Sequence, residues 1–177
     1  SRLNPVLRRE GLETIGDLCR ELRGSGSRRF VPLVIDAMTT NETSFFRDSL
    51  PFQHLAKEVL PGLLEARQSA RKLRIWSAAC SSGQEAISLA ILLAENFPDL
   101  RSWDVKILAS DVSPAMVDRC RAATFTENEM GRGMPTELRR RYFDELDEGW
   151  RAKAELRSRL EVRQINLIQP FVTVEQQ

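Results

Sequence analysis

Residues 39–48 have the composition of a polar loop that binds a ligand. Five hydroxyl or amide side chains and one carboxylate precede Phe45, Phe46, Arg47 and Asp48. Serine, threonine and asparagine compete with the backbone for hydrogen bonds, so this stretch is unfavourable for a helix interior. The guanidinium of Arg47 could hold a carboxylate through charge-assisted hydrogen bonds. A helix end with a capping turn would use the same residues, and composition alone does not decide between the two.

A second candidate lies at residues 78–85, where Ala-Ala-Cys-Ser-Ser-Gly-Gln-Glu follows an apolar segment. Small side chains let the backbone approach a ligand, and open α/β sheets bind nucleotide-like cofactors where the next helix begins. The complete G-x-G-x-x-G pattern is absent, because Gly83 is the sole glycine of this turn. Ser82 and Glu85 also fit a capping box, which needs no ligand, so both interpretations stay open.

Asp111 is predicted to end the second strand of the same unit. Ser113 and Pro114 follow it as the N-cap and the first residue of a helix. A carboxylate at the tip of this strand can accept hydrogen bonds from both hydroxyls of a bound ribose. Asp111 could instead cap the next helix, but Ser113 already supplies that cap. The ribose interpretation is therefore favoured.

Alternating strands and helices are expected to position these candidates. Segments that alternate at this spacing form βαβ units and a parallel sheet. The predicted strands are residues 73–79, 105–109 and 160–165, and the predicted helices are residues 84–97, 114–122 and 135–143.

The first forty residues are predicted to form a small helical unit. Apolar residues recur at helical spacing in three stretches, and the first begins with Asn4 as N-cap and Pro5 as the first helical residue. The third stretch runs into the polar loop. Residues 50–70 keep a helical pattern that Pro51 and Pro61 divide into two pieces.

Composition limits the partners and the location of the protein. The chain has 177 residues and a formal net charge of +1, so no global field draws it to nucleic acid or to an acidic membrane. Three widely spaced cysteines and the single histidine, His54, argue against a disulfide framework and a zinc site, and for a reducing cytoplasm. No apolar run approaches membrane-spanning length. We therefore expect a cytoplasmic protein without metal, nucleic acid or membrane insertion.

Five blocks of this sequence resemble the CheR-type chemotaxis receptor methyltransferases and occur in the order expected of that family. The resemblance covers nearly the whole chain, and its first block is highly specific. The blocks are TTNETSFFRD at 39–48, IWSAACSSGQE at 75–85, ASDVS at 109–113, LRRRYF at 138–143 and NL at 166–167.

The resemblance implies an α/β fold with a small N-terminal helical domain and a Rossmann-like methyltransferase domain. The expected divisions are residues 1–47 for the helical domain and its loop, 48–72 for a helical linker, and 73–177 for the N-terminal part of the methyltransferase domain. These enzymes use S-adenosyl-L-methionine to methylate glutamate side chains on chemoreceptors and release S-adenosyl-L-homocysteine. The implied partners are the cytoplasmic helices of methyl-accepting chemotaxis proteins.

The resemblance also assigns site residues. Arg47 would position the incoming glutamate and is the candidate catalytic residue; alternatively it forms a weak surface pair with Asp48 or Glu42. The implied cofactor-binding residues are Asn41, Thr43 and Arg47 at the methionine end, Glu85 at the first turn, Asp111 on the ribose, and Asn166 and Leu167 beside the adenine.

The sequence departs from the family pattern in two places. Gln84 replaces a carboxylate found in many members, which puts the local charge in doubt. The family continues beyond Leu167 through a further strand with more cofactor contacts, whereas residues 172–177 offer at most one short strand. We therefore expect an incomplete parallel sheet and no receptor-docking β-subdomain. We also expect either that the chain self-associates through an uncovered sheet edge or that it is part of a longer gene product.

Two other functions are alternatives to receptor methylation. A non-catalytic module that binds S-adenosylmethionine or S-adenosylhomocysteine as a signal, or an inactive fragment of the enzyme, would fit the shortened end and Gln84. A nucleic-acid methyltransferase is disfavoured by the neutral net charge and by the lack of an N/D-P-P-Y segment.

Overall fold

The computed structural model describes residues 1–169, so residues 172–177, where at most one short strand was expected, lie outside the described residues. Within that part, no helix has the length and apolar character needed to cross a bilayer. The helices are α1 Asn4–Glu10, α2 Ile15–Arg23, α3 Ser27–Met38, α4 Leu50–His54, α5 Leu60–Ala66, α6 Gln84–Asn96, α7 Pro114–Ala122, α8 Glu127–Met130, α9 Thr136–Tyr142 and α10 Ala154–Arg157. The strands are β1 Lys72–Ala78, β2 Asp104–Asp111, β3 Thr124–Phe125, β4 Phe143–Leu146, β5 Gly149–Ala152 and β6 Leu160–Gln164.

Helices α1 to α3 pack around a small apolar cluster of their own. Leu7, Leu18 and Phe30, one from each helix, form its buried centre. Helix α2 begins with a capping box in which the Thr14 side chain accepts from the Asp17 backbone. The prediction that Asn4 caps α1 was wrong by one residue: Leu3 is the N-cap and makes no side-chain cap.

A single run of helix connects this unit to the sheet. The two predicted pieces correspond to α4 and α5, each of which begins near one of the prolines, and a π-helical turn at Leu55–Val59 joins them into one continuous segment. Pro61 lies at the start of α5, where its missing N–H and fixed φ are tolerated. The widened turn before it lets the helix continue past the proline.

The parallel sheet has the order β1-β2-β6, with β2 in the centre. Leu73 of β1 lies opposite Val105 of β2, and Ile107 of β2 lies opposite Leu160 of β6. The three predicted strands are thereby confirmed. Trp76 of β1 is 39% exposed, because β1 is an edge strand of the described sheet.

The main core lies between this sheet and α6. Ala86, Ile87, Ala90 and Ile91 are completely buried, so α6 is apolar on nearly all sides of its central turns. The same core includes Phe45 from the polar loop. The loop is therefore packed into the body of the protein and is not a free connector.

A second sheet, not predicted from sequence, lies between α7 and α10. It is antiparallel with the order β3-β5-β4 and spans residues 124–152, together with α8 and α9. The expectation that the chain lacks a receptor-docking β-subdomain stays a prediction, because the fold shows an antiparallel sheet and says nothing of receptor docking. Its strands have two to four residues, too short for an alternating apolar pattern to reveal them.

Candidate active site

The lid loop, as we call residues 39–48, is fixed to three other parts of the structure. Phe45 is 1% exposed and makes edge-to-face contacts with Phe125 and Phe143 at centroid distances of 4.9 and 5.9 Å. The Phe46 N–H donates to Ser88 Oγ of α6 at 3.0 Å. These contacts place the polar half of the loop over the carboxyl ends of β1 and β2.

The turn after β1 has a tightly curved backbone. Ala79, Ser81 and Gly83 all have left-handed conformations, with φ of 58°, 50° and 98°. Such conformations cost a non-glycine residue about 1–2 kcal/mol, and they accumulate at ligand sites. A Cβ on Gly83 would lie 2.8 Å from Cys120 Sγ, so only glycine fits there.

The capping-box alternative for this turn is wrong. Gly83 is the N-cap of α6 and makes no side-chain cap. The Ser82 hydroxyl donates to Gln84 Oε1 at 2.8 Å, and Glu85 Oε1 accepts a hydrogen bond from Ser77 Oγ at 2.6 Å. Neither Ser82 nor Glu85 is used to start the helix, so the carboxylate of Glu85 is available to a ligand.

Asp111 is oriented by the backbone on both sides. Its Oδ2 accepts from the Ser81 N–H at 2.8 Å, and its Oδ1 accepts from the Ser113 N–H at 2.9 Å. Ser113 caps α7 by accepting from the Met116 N–H, as predicted. Each carboxylate oxygen retains a lone pair for a further donor.

All seven predicted site residues line one cavity of about 370 Å³. The cavity lies at the carboxyl ends of the three parallel strands, where open α/β sheets bind ligands. The lid loop closes one side of it, and the Asn41 carbonyl accepts from Ser81 Oγ at 3.1 Å. The predicted residues are Asn41, Thr43, Arg47, Glu85, Asp111, Asn166 and Leu167.

Arg47 is only weakly engaged by its neighbours. Its Nη1 donates to the Glu42 carbonyl at 3.3 Å, and its Nε lies 4.0 Å from the Asp48 carboxylate. The side chain is 60% exposed, so this long surface pair contributes little. Most of the donor capacity of Arg47 is free to hold a substrate.

The charges of the cavity suit a ligand that carries positive charge. Glu42, Glu85 and Asp111 line it, against the single guanidinium of Arg47. Walls of one predominant sign concentrate ligands of the opposite sign.

Gln84 does not alter this balance, because it does not line the cavity. Its side chain is 1% exposed, and its Nε2 donates to Glu129 Oε1 at 3.4 Å. A carboxylate at position 84 would face the Glu129 carboxylate. The doubt about local charge at Gln84 therefore concerns the core and not the site.

Cys80 lines the cavity but is poorly suited to nucleophilic chemistry. The pKa of its thiol is raised, because it shares a hydrogen bond with Cys120 and is buried. The thiol thus stays protonated at neutral pH. Cys80 therefore acts as a small apolar residue of the cavity wall and not as a nucleophile.

Some residues of the site had no signal in the sequence. Ser77, buried inside β1, orients Glu85, yet a serine in a strand indicates nothing by itself. Phe52 and Ile165 complete the apolar walls of the cavity. Ile165 could have been found from its position next to Asn166, whereas Phe52 could not.

Comparison with known proteins identifies relatives of this chain. Residues 41–176 match the family model described as CheR methyltransferase, SAM binding domain. The chain is 41% identical to chemotaxis protein methyltransferase 1 of Pseudomonas aeruginosa, over 98% of this chain and 64% of that protein. It is 35% identical to a chemotaxis protein methyltransferase of Pseudomonas putida over the same shares, and 38% identical to one of Vibrio cholerae over 97% and 62%. The chain thus spans slightly less than two thirds of the length of these relatives.

Proposed function

Because the chain belongs to the CheR methyltransferase family, we propose that it transfers methyl groups from S-adenosyl-L-methionine to glutamate side chains of chemoreceptors. The matched region is the S-adenosylmethionine-binding domain of the family, so the predicted cofactor is confirmed. One observation supports the proposal most strongly. Seven residues chosen from separate stretches of sequence line a single cavity.

The residues of the cavity fit this cofactor chemically. The bound cofactor supplies a sulfonium methyl group, whose positive charge suits a cavity lined by three carboxylates. We propose that Asp111 accepts from the ribose hydroxyls with the lone pairs that Ser81 and Ser113 leave unused. Asn41, Thr43 and Glu85 are proposed to hold the amino-acid end, and Asn166 and Leu167 the adenine.

Arg47 is proposed to position the acceptor carboxylate. The reaction joins an anion to a cationic methyl donor, so it needs alignment and exclusion of water more than proton transfer. The lid loop contributes to both, since it closes one side of the cavity and carries Arg47. In this proposal Arg47 acts as a positioner and not as an acid.

The domain divisions at residues 1–47, 48–72 and 73–177 stay a proposal. The separate apolar cluster of α1 to α3 supports the first division. Phe45 packs in the main core, so the lid loop belongs physically to both sides of that boundary.

We also propose self-association through the edge of β1 that faces away from β2. Among the described strands β1 pairs with β2 alone, and it exposes 39% of Trp76. Unpaired strand edges recruit other strands. Sedimentation velocity that shows only monomer at high concentration would contradict this.

The function is tested by transfer of labelled methyl from S-adenosylmethionine to a chemoreceptor cytoplasmic fragment. We expect the wild-type receptor fragment to acquire label that is released by base, as a methyl ester is. A receptor fragment in which glutamines replace the acceptor glutamates should acquire no label. Arg47→Ala should lower the rate by about tenfold or more, the loss expected for a charged hydrogen bond. Cofactor binding without any transferred label would instead identify a regulatory module.

A further inference from the structure

A second cleft of about 370 Å³ adjoins the cofactor cavity. Four of its residues also line that cavity, so the lid loop is a wall shared by both. A group held in one is therefore next to a group held in the other. The cleft is lined by Glu42, Thr43, Ser44, Arg47, Arg132 and Gly133.

We propose that this second cleft, the acceptor cleft, binds the carboxylate of the glutamate to be methylated, and that Arg132 binds it together with Arg47. The inference rests on the proposed function, because it takes the adjoining cavity as the cofactor site. Arg132 was not among the residues indicated by the sequence.

The charges of the acceptor cleft favour an incoming carboxylate. Two guanidinium-bearing residues line it, against the one carboxylate of Glu42. Arg47 has only long contacts, and none of the ion pairs among residues 1–169 involves Arg132. Unused guanidinium donors recognise a planar carboxylate by geometry as well as by charge.

The backbone of Arg132 is fixed against the lid loop. Its carbonyl accepts from the Phe45 N–H at 3.1 Å, and Phe45 is buried. Gly133 has φ of 87°, and a Cβ there would lie 2.1 Å from the Phe45 carbonyl oxygen. The segments that carry the two arginines are therefore fixed relative to each other. Alignment of an acceptor requires such a fixed arrangement.

The reaction explains why two cations are useful in this position. One oxygen of the acceptor carboxylate bonds to the methyl carbon while the carbon–sulfur bond breaks and its electron pair stays on sulfur, so no proton moves. Guanidinium groups favour the ionised acceptor that this step needs. A glutamine side chain, which is neutral, would gain little from either arginine.

The test measures binding of two receptor peptides to protein saturated with S-adenosylhomocysteine. The peptides are identical except for glutamate or glutamine at the acceptor position. We expect wild type to prefer the glutamate peptide by about tenfold or more, and Arg132→Gln to reduce that preference to a few-fold. Arg140→Gln, which changes an exposed arginine of α9, is the matched control and should leave the preference unchanged.

Turnover provides the second readout. Arg132→Gln should lower kcat/KM for the receptor while its affinity for S-adenosylhomocysteine stays at the wild-type value. An unchanged glutamate preference in Arg132→Gln would overturn the inference, and so would a loss of cofactor affinity, which would mean a structural role. Failure of the proposed function itself is recognised separately, because wild type would then transfer no methyl group to either peptide.

Discussion

Asp111 has both carboxylate oxygens oriented by backbone N–H groups before any ligand binds. These bonds join the end of β2 to the turn after β1 and to the start of α7. Glu85 is held in a comparable way by Ser77. Groups that are already oriented lose less conformational freedom on binding, which favours affinity.

Tyr142 predicts a pH dependence of stability. Burial raises the pKa of Tyr142 to about 12, and its hydroxyl also donates to Glu95 Oε1 at 2.5 Å. Because the pKa is raised in the folded state, the stabilisation is complete below the ordinary value of 10.0 and is lost as pH rises from there to about 12.

The check is denaturant unfolding of wild type and Tyr142→Phe across alkaline pH. At neutral pH we expect Tyr142→Phe to be less stable by about 0.5–1.5 kcal/mol, the value of one hydrogen bond. The difference should shrink above pH 10. A constant difference would show that the hydroxyl is not held as described.

Individual site residues could be predicted from the sequence where both the residue type and its position in a predicted element indicated a role. Asp111 could be predicted because it follows an apolar strand and precedes a capped helix. Arg132 could not, because an exposed arginine between two glycines is an ordinary loop residue until the fold brings it to the lid loop.

The lid loop connects the cofactor cavity to the acceptor cleft. It lines both clefts, and its apolar residues anchor it in the core through Phe125 and Phe143. Its fixed position relative to residues 132–133 follows from the close approach of Gly133 to the Phe45 carbonyl.

Gly133→Ala should therefore destabilise the protein and impair methyl transfer. The added Cβ meets backbone, which cannot move aside easily, and a left-handed alanine alone costs about 1–2 kcal/mol. Gly62→Ala in α5 is the control: nothing lies within 4 Å, so it should stabilise by about 0.5–1 kcal/mol. Urea unfolding compares the two. Equal stability of the two variants would contradict the packing described here.

Among the elements, the longer ones were predictable and the short ones were not. Strands β1, β2 and β6 and helices α6 and α7 have clear apolar patterns and were placed within one or two residues. The antiparallel sheet was missed because strand β3 has two residues and β4 exposes three of its four. Cross-strand pairing, and not an alternating apolar pattern, stabilises these strands: β4 and β5 form a hairpin, and β5 also pairs with β3.

The whole molecule contains two apolar clusters, and the lid loop connects them along the chain. The helical unit also contacts the N-cap of α7 directly, where Ser113 Oγ donates to Asp36 of α3. Helix α3 therefore leads into the lid loop and also contacts the start of α7. The general fold was predictable from strand–helix alternation, whereas this contact between distant segments was not.

Calorimetric titration of the chain with S-adenosylhomocysteine measures whether this cavity binds the cofactor. We predict saturable binding at one site, with the affinity of Glu85→Gln reduced by about tenfold, because glutamine keeps the Ser77 hydrogen bond but loses the charge. Absence of binding by folded wild-type protein, or full affinity in Glu85→Gln, would contradict the assignment of this cavity to the cofactor.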